Sequence, residues 1–332
     1  MAWRVLVTAR AFWDNGQKAQ AELEEAGCFV GRSPNPGPVP EDELIELLQE
    51  YDAIVGSSDP YTERLLQSCP RLKVVSRCGV GVDSVNVPAA TRAGVIVTNT
   101  PGAMTDAVSD LAFAMLLAIA RRVVESDVLM HSGGWGEFPG TLVWGKTLGL
   151  IGVGQIGRGV AVRAQGFNMR VLAYDPPAEK RGADPLVTFV GLNELLEQSD
   201  FVSVHAPANA ETKGMIGAAQ LERMQPGAFL INTARGSLID EPALIDALER
   251  GRIAGAALDV HCHEPLPADD PLRKAPHCLL SPHNGFNAVE AARRMSEASA
   301  HNIALAVKGQ RPEWTVNPDV WSSPALRVPE LR

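Results

Sequence analysis

No apolar run in the sequence is long enough to cross a bilayer. The longest, Leu111 to Ala120, is ten residues, about half of the 18–20 that a span requires. Runs of lysine and arginine are missing as well, and 30 basic against 39 acidic residues leave a net charge of −9. Non-specific nucleic-acid binding, which depends on neutralising phosphates, is therefore disfavoured. Cysteine is scarce: Cys28, Cys69, Cys78, Cys262 and Cys278 are odd in number and never spaced as CxxC. That pattern suits reduced thiols rather than a disulfide framework. Met1 to Val7 holds no basic segment, long apolar core or small-residue cleavage site, and reads as a first strand rather than a leader. A cytoplasmic protein with neither membrane nor nucleic-acid partners is expected.

What is present suits two lobes with sizeable cores: 332 residues, of which 45% are apolar and 21% charged. Short β-type runs alternate with helix-period stretches, from Val5–Val7 and Gln17–Ala26 through Ala53–Val55, Thr62–Gln67, Lys73–Val75 and Pro88–Ala93 to Val95–Val97. This βαβα order implies a parallel sheet. It restarts after residue 145, with strand-like runs at Leu148–Ile151, Met169–Tyr174, Val187–Val190, Phe201–Val204, Ala228–Ile231, Ala254–Leu258 and Leu279–Leu280. A second α/β sheet follows.

Between the two, Thr105–Val123 is apolar on nearly every face and closes on Arg121-Arg122. A helix of this kind is buried, either at a joint between lobes or in the core of one. A further helical stretch, Asn287–Lys308, could return to the first lobe, and residues 309–332, with four prolines, look like a tail.

The strongest local motif is Gly152-Val153-Gly154-Gln155-Ile156-Gly157, placed after a strand and opening a helix. Gly152 makes the tight turn, Gly154 lets the backbone approach a pyrophosphate, and Gly157 lets helix and strand pack closely. The next strand ends in Asp175, about 20 residues on, where a carboxylate accepts hydrogen bonds from a ribose 2′-hydroxyl. The same charge repels a 2′-phosphate, so the expected cofactor is NAD rather than NADP.

Three further segments follow strands of the second sheet, where open α/β sheets place their ligands. They are Asn232-Thr233-Ala234-Arg235-Gly236, Asp259-Val260-His261-Cys262-His263-Glu264-Pro265 and Ser281-Pro282-His283-Asn284-Gly285. In these motifs and their order the chain resembles the D-isomer-specific 2-hydroxyacid dehydrogenases over nearly its whole length. Gly79 to Asn86 and Asn99-Thr100-Pro101-Gly102 resemble that family's substrate-loop and hinge segments. The local wording is most similar to its D-3-phosphoglycerate dehydrogenases, in a short form without regulatory C-terminal domains.

The resemblance implies two Rossmann-like or flavodoxin-like lobes with parallel sheets. A cofactor lobe of 102–285 would be inserted into a substrate lobe made of 1–101 and 286–332. It also implies NAD-dependent interconversion of a D-2-hydroxy acid and its 2-oxo acid. Arg235 would grip the substrate carboxylate and polarise the carbonyl. His283 would deliver or remove the proton, and Glu264 would fix the histidine tautomer and favour its charged form. By the same resemblance Gln155 and Ile156 present amides to the pyrophosphate, and His205 and Pro207 flank the adenosine. Thr233, Ala234 and Asp259 hold the nicotinamide end, and Gly285 also lines the cofactor site. Ser57, Arg77, Val80 and Gly81, together with Arg235 and His283, are the expected substrate contacts. A homodimer with Thr105–Val123 and Trp135 at its interface is implied too.

The substrate stays open. Arg77 matches a basic position of phosphoglycerate dehydrogenases, but Gly56 stands where a second phosphate-binding arginine is often found. Glyoxylate and hydroxypyruvate reductases, or reductases of another small 2-oxo acid, share the same three residues. A non-enzymatic NAD-sensing corepressor, similar to the C-terminal-binding proteins, is the distant alternative, and Glu264 argues against formate dehydrogenases. His261-Cys262-His263-Glu264 has metal-ligand chemistry, but two histidines in one loop do not complete four ligands, and no metal is expected.

Overall fold

The computed structural model describes residues 2–332. The chain divides into two compact units: one runs up to Met104 and includes Asn287–Arg332, and the other is Thr105–Phe286.

The first unit carries five strands: β1 (Arg4–Val7), β2 (Phe29–Arg32), β3 (Ala53–Gly56), β4 (Val74–Arg77) and β5 (Ile96–Thr98). All are parallel, in the order β2-β1-β3-β4-β5, the flavodoxin-like arrangement. Central strands of such a sheet are covered on both faces and so read as continuous apolar runs: Ala53, Ile54, Val55 and Gly56 are all buried. Strand β2 lacks that signature because it is an edge, with Phe29 and Arg32 exposed. Side-chain caps start the helices: Thr62 accepts from Leu65 N–H, and Asn86 accepts from Ala89 N–H ahead of a helix with Pro88 in its first turn.

The helix Val289–Val307 belongs to this unit and packs on β3, β4 and the helix Gln17–Glu25. Residues 309–332 are no loose tail. Val320, Leu326, Val328 and Leu331 are buried, and Val316 N–H donates to Val97 O at 2.8 Å. The Arg327 guanidinium donates to the carbonyls of Ala93, Cys69, Leu72 and Leu66 at 2.6–3.0 Å. The prolines mark short turns, and the segment runs along the β5 edge, where Thr315 bridges Thr98 and Val97 N–H donates to Asn317 Oδ1 at 2.9 Å.

The second unit carries seven strands: β6 (Thr147–Ile151), β7 (Arg170–Tyr174), β8 (Thr188–Phe189), β9 (Phe201–Val204), β10 (Phe229–Asn232), β11 (Gly255–Leu258) and β12 (Cys278–Leu280). They are parallel, in the order β12-β11-β10-β9-β6-β7-β8, so the direction of winding reverses between β6 and β9. This is the Rossmann arrangement, and ligands bind beyond the strand ends at that reversal. The helix Thr105–Ala120 lies in the core of this unit, its Ala112, Phe113, Met115, Leu116 and Ile119 packed with β10, β11 and the helix Gln155–Gln165. Among the described residues no helix is long and apolar enough to cross a membrane.

Candidate active site at the carboxyl edge of the second sheet

The turn after β6 is shaped by its glycines. Gly152 has φ of +97°, and a Cβ there would lie 2.7 Å from the backbone of His205 and Ala206; a Cβ on Gly157 would run into the Gly152 carbonyl. Gly154 faces open space and precedes the exposed first turn of the helix Gln155–Gln165. Unpaired helix N–H groups next to an unobstructed backbone form an anion cradle.

Asp175 ends β7. Its Oδ2 accepts from Val153 N–H at 2.7 Å and its Oδ1 from Ala178 N–H at 2.8 Å. The carboxylate is thus fixed beside the glycine turn, with a lone pair left on each oxygen. His205, after β9, exchanges a hydrogen bond with Ser203 Oγ through Nε2 at 2.9 Å. Burial pushes its pKa down to about 4, so at neutral pH it is an uncharged wall. Pro207 follows, its carbonyl accepting from Thr212 Oγ1.

After β10, the fully buried Asn232 ties the next turn in both directions: its Nδ2 donates to Arg235 O at 2.8 Å and its Oδ1 accepts from Ala234 N–H at 3.0 Å. Arg235 Nη1 donates to Ala234 O at 2.6 Å. Thr233 Oγ1 is buried without a partner among the described residues. A hydroxyl left in that condition costs stability unless a ligand completes it.

The last two loops converge. His283 Nδ1 and Glu264 Oε2 are 2.6 Å apart, with the side chains 39% and 35% exposed. Burial pushes the Glu264 pKa up, but hydrogen bonds from His283 and from the His261 N–H, with the histidine charges, outweigh it and leave the pKa lowered. Glu264 is therefore an ionised acceptor, and Nε2 is the ring nitrogen left to face a substrate. Asp259 holds the second loop. Its carbonyl accepts from His283 N–H at 2.7 Å, its Oδ1 from Asn284 N–H at 2.7 Å and its Oδ2 from Gly285 N–H at 2.8 Å. This clamp keeps His283 at φ of +54°, a left-handed conformation that non-glycine residues adopt only when their surroundings impose it. Sequence reasoning assigned Asp259 to the cofactor and missed this role, and it missed Asn232 altogether. Both act through backbone groups that become neighbours only once the strands are paired.

His261 is buried, its Nε2 on Ser281 O at 2.9 Å. Among the described residues no group of three or more His, Cys, Asp or Glu is placed to hold a metal.

The four remaining expected substrate residues lie in the first unit. Ser57 N–H donates to Thr8 Oγ1 at 3.1 Å and to Asp59 Oδ2 at 2.9 Å, so its amide is used within the unit. Arg77 Nη1 donates to Gly56 O and Cys78 O at 3.4 and 3.3 Å. Val80 is exposed, its carbonyl accepting from Asn99 Nδ2 at 2.9 Å, and Gly81 beside it is half-buried. Gly56 has no room for a side chain, because the Tyr61 hydroxyl occupies the place of its Cβ.

The second unit's residues fit a dinucleotide: an open glycine turn before a free helix terminus, a fixed carboxylate at the end of β7, and an unsatisfied hydroxyl on Thr233. Comparison with known proteins points the same way. Residues 113–285 match the model of the D-isomer specific 2-hydroxyacid dehydrogenase NAD-binding domain. A glyoxylate reductase of Thermococcus litoralis is 42% identical over 335 residues, covering 96% of this chain and 98% of the relative. A D-3-phosphoglycerate dehydrogenase of Synechocystis is 39% identical over 301 residues, covering 87% of this chain and 54% of the relative. Among solved structures, the TT0316 protein of Thermus thermophilus superposes with a TM-score of 0.85 at 38% identity, covering 94% of this chain and 99% of that one.

Proposed function

The chain belongs to the D-isomer specific 2-hydroxyacid dehydrogenase family, an NAD-dependent oxidoreductase family, and from that premise we propose that it reduces a small, unphosphorylated 2-oxo acid of the glyoxylate type. The observation that carries the choice of substrate is Arg77. Its guanidinium is folded onto the carbonyls of Gly56 and Cys78, and the Tyr61 hydroxyl excludes any side chain at residue 56. A phosphate would have to draw Arg77 away from both carbonyls, and no second arginine fits at residue 56.

Gly154, Gln155 and Ile156 would hold the pyrophosphate on the helix terminus. Asp175 would accept from the ribose hydroxyls and repel a 2′-phosphate. The neutral His205 and Pro207 would flank the adenosine, and Thr233, Ala234 and Gly285 would line the nicotinamide end, with Asp259 behind them as the clamp. When bound, NADH supplies the hydride that reduces the substrate carbonyl.

Arg235 would pair with the substrate carboxylate and draw electron density from the adjacent carbonyl. As negative charge grows on the carbonyl oxygen, His283 Nε2 would deliver the proton, and Glu264, 2.6 Å from Nδ1, stabilises the imidazolium from which that proton leaves. In the oxidative direction the same nitrogen accepts it. The pair resembles the base and orienting acid of a hydrolytic triad without a nucleophile.

The test is NADH consumption with glyoxylate, hydroxypyruvate, pyruvate and 3-phosphohydroxypyruvate, with NADPH in parallel. A higher kcat/KM for glyoxylate or hydroxypyruvate supports the reading. A clear preference for the phosphorylated acid that is lost in Arg77→Ala would replace it with the phosphoglycerate reading, and absence of turnover with every acid would return the corepressor alternative.

The same proposal includes a homodimer. The apolar face of Thr105–Ala120 is used inside its own unit, so the surface offered to a second copy is the following segment, where Trp135 is 88% and Trp144 58% exposed and Val123, Val128 and Leu142 are exposed too. Large apolar side chains clustered at a surface mark association. Sedimentation at micromolar concentration should give twice the chain mass. A cytoplasmic location is supported by five cysteines that are all free thiols.

A further inference from the structure

His261 takes no part in the chemistry assigned above, and it is not merely filling space. Its backbone N–H donates to Glu264 Oε1 at 2.9 Å, leaving Oε2 for His283. Its side chain reaches the other loop: Nε2 lies 2.9 Å from the carbonyl of Ser281, two residues before His283. A carbonyl only accepts, so the imidazole carries its proton on Nε2. Nδ1 is then a buried acceptor without a partner among the described residues. An unpaired buried acceptor is unfavourable, and a phenyl ring of similar size would avoid it. The imidazole therefore offers something a hydrocarbon cannot, and that is the donor on Nε2.

The third loop meets the same residue. A Cβ on Gly236 would run into the carbonyl carbon and oxygen of His261, so the turn that carries Arg235 is packed directly on the His261 peptide. One residue thus contacts the segments bearing all three proposed catalytic groups.

We propose that His261 is the positioning residue for the Glu264–His283 pair: it holds the carboxylate by its main chain and ties the His283 loop to the same point by its imidazole. The 2.6 Å contact between the pair is then set by the fold before substrate arrives. This rests on the reading of His283 as the proton donor.

The experiment compares His261→Phe, His261→Gln and His261→Asn in the full chain. Phenylalanine keeps the volume and removes the donor. Glutamine places an amide nitrogen where Nε2 stood, and asparagine, one carbon shorter, does not reach. We expect Phe and Asn to lower kcat about tenfold, a part of the ~10²-fold that a 1 Å misplacement can cost, with KM for NADH within about twofold. Gln should recover most of the loss.

In Phe and Asn the acid-supported limb of the reductive pH profile should move to lower pH, because Glu264 no longer stabilises the imidazolium as well. Proton NMR supplies a readout apart from turnover: a low-field resonance from the short His283–Glu264 bond, present in the parent and in Gln, lost in Phe and Asn. Equal kcat, pH profile and resonance in all three variants would overturn the proposal. Were Phe not to fold, the contrast between Gln and Asn decides by itself. His283→Ala is run beside them. If it keeps full turnover the proton-donor reading fails, while the resonance in His261→Gln against His261→Asn still reports whether His261 sets the pair.

Discussion

Two stretches at the carboxyl edges of the sheets, one around Asp59 and the other around Gly154 and Thr233, treat their polar groups in opposite ways. Beyond β3 and β4 of the first unit, Asp59 is fully buried and accepts from Thr8 Oγ1 at 2.5 Å, Val39 N–H at 2.8 Å, Ser57 N–H at 2.9 Å and the Tyr61 hydroxyl at 3.1 Å. Burial above all holds the Tyr61 pKa well above its ordinary value. Beyond β6 and β10 of the second unit, a glycine faces open space and a threonine hydroxyl has no partner among the described residues. Around Asp59 the first edge answers its own hydrogen bonds, whereas around Gly154 and Thr233 the second keeps some open. Groups that are open can bind, whereas groups that are closed can shape. The groups proposed for chemistry lie in the stretch that keeps donors and acceptors open.

The largest test of that contrast is His283→Ala, which should lower kcat roughly 10²–10⁴-fold, as loss of a general acid does. NADH binding, followed by fluorescence, should change little. Next is Asp259→Ala, which frees the Asn284 and Gly285 N–H groups of the His283 loop and keeps only the main-chain bond to His283 N–H. Its kcat should fall about 10²-fold through misplacement of the imidazole, while adding an external imidazole should not restore it.

A pair of glycines sharpens the comparison directly. Gly56→Ala in the closed edge should destabilise the protein by about 1–3 kcal/mol through overpacking against Tyr61, read as a shift in denaturant midpoint. Gly154→Ala in the open edge should leave stability within ~0.5 kcal/mol and weaken NADH binding on the order of tenfold by standing where the phosphates approach.

The last expected effect is one of pH. His205 has a pKa of about 4 in the folded chain against about 6.5 unfolded. As pH falls below 6.5 the unfolded chain takes up the proton first, so stability present above 6.5 declines until the pH passes about 4. The Glu264 pKa is lowered too, so its stabilisation is present above the ordinary glutamate range and is lost as pH falls through and below that range. Denaturation midpoints at pH 7.5, 5.5 and 4 should show a shallower slope in His205→Gln. An unchanged slope would mean another group titrates there.

Most of this architecture was legible in the sequence. The central strands announced themselves because burial on both faces makes them apolar throughout, and the glycine turn and the Arg235 and Glu264 motifs sit directly after such strands, while the His283 motif follows the short apolar edge strand β12. The edge strand β2 was missed since half of its surface meets water, and Phe29-Val30-Gly31-Arg32 has no strong pattern. The stretch 309–332 looked like a tail because proline turns hide its buried valines and leucines. Local composition does not say that an arginine at 327 will find carbonyls more than 230 residues away. The positioning residues were the least legible. Asn232, Asp259 and His261 act on backbone groups of neighbouring loops, and only the pairing of β10, β11 and β12 brings those groups within reach.

One consequence of the chain path concerns synthesis. Residues 105–286 are contiguous and can fold as soon as they leave the ribosome, whereas the first unit waits for Val289–Val307 and for Arg327. Until then the carbonyls of Leu66, Cys69, Leu72 and Ala93 are without the guanidinium that answers them. A nascent chain stalled once residue 286 has emerged should therefore already retain NADH while its first hundred residues are still cut readily by protease, and resistance should appear only when the final residues emerge.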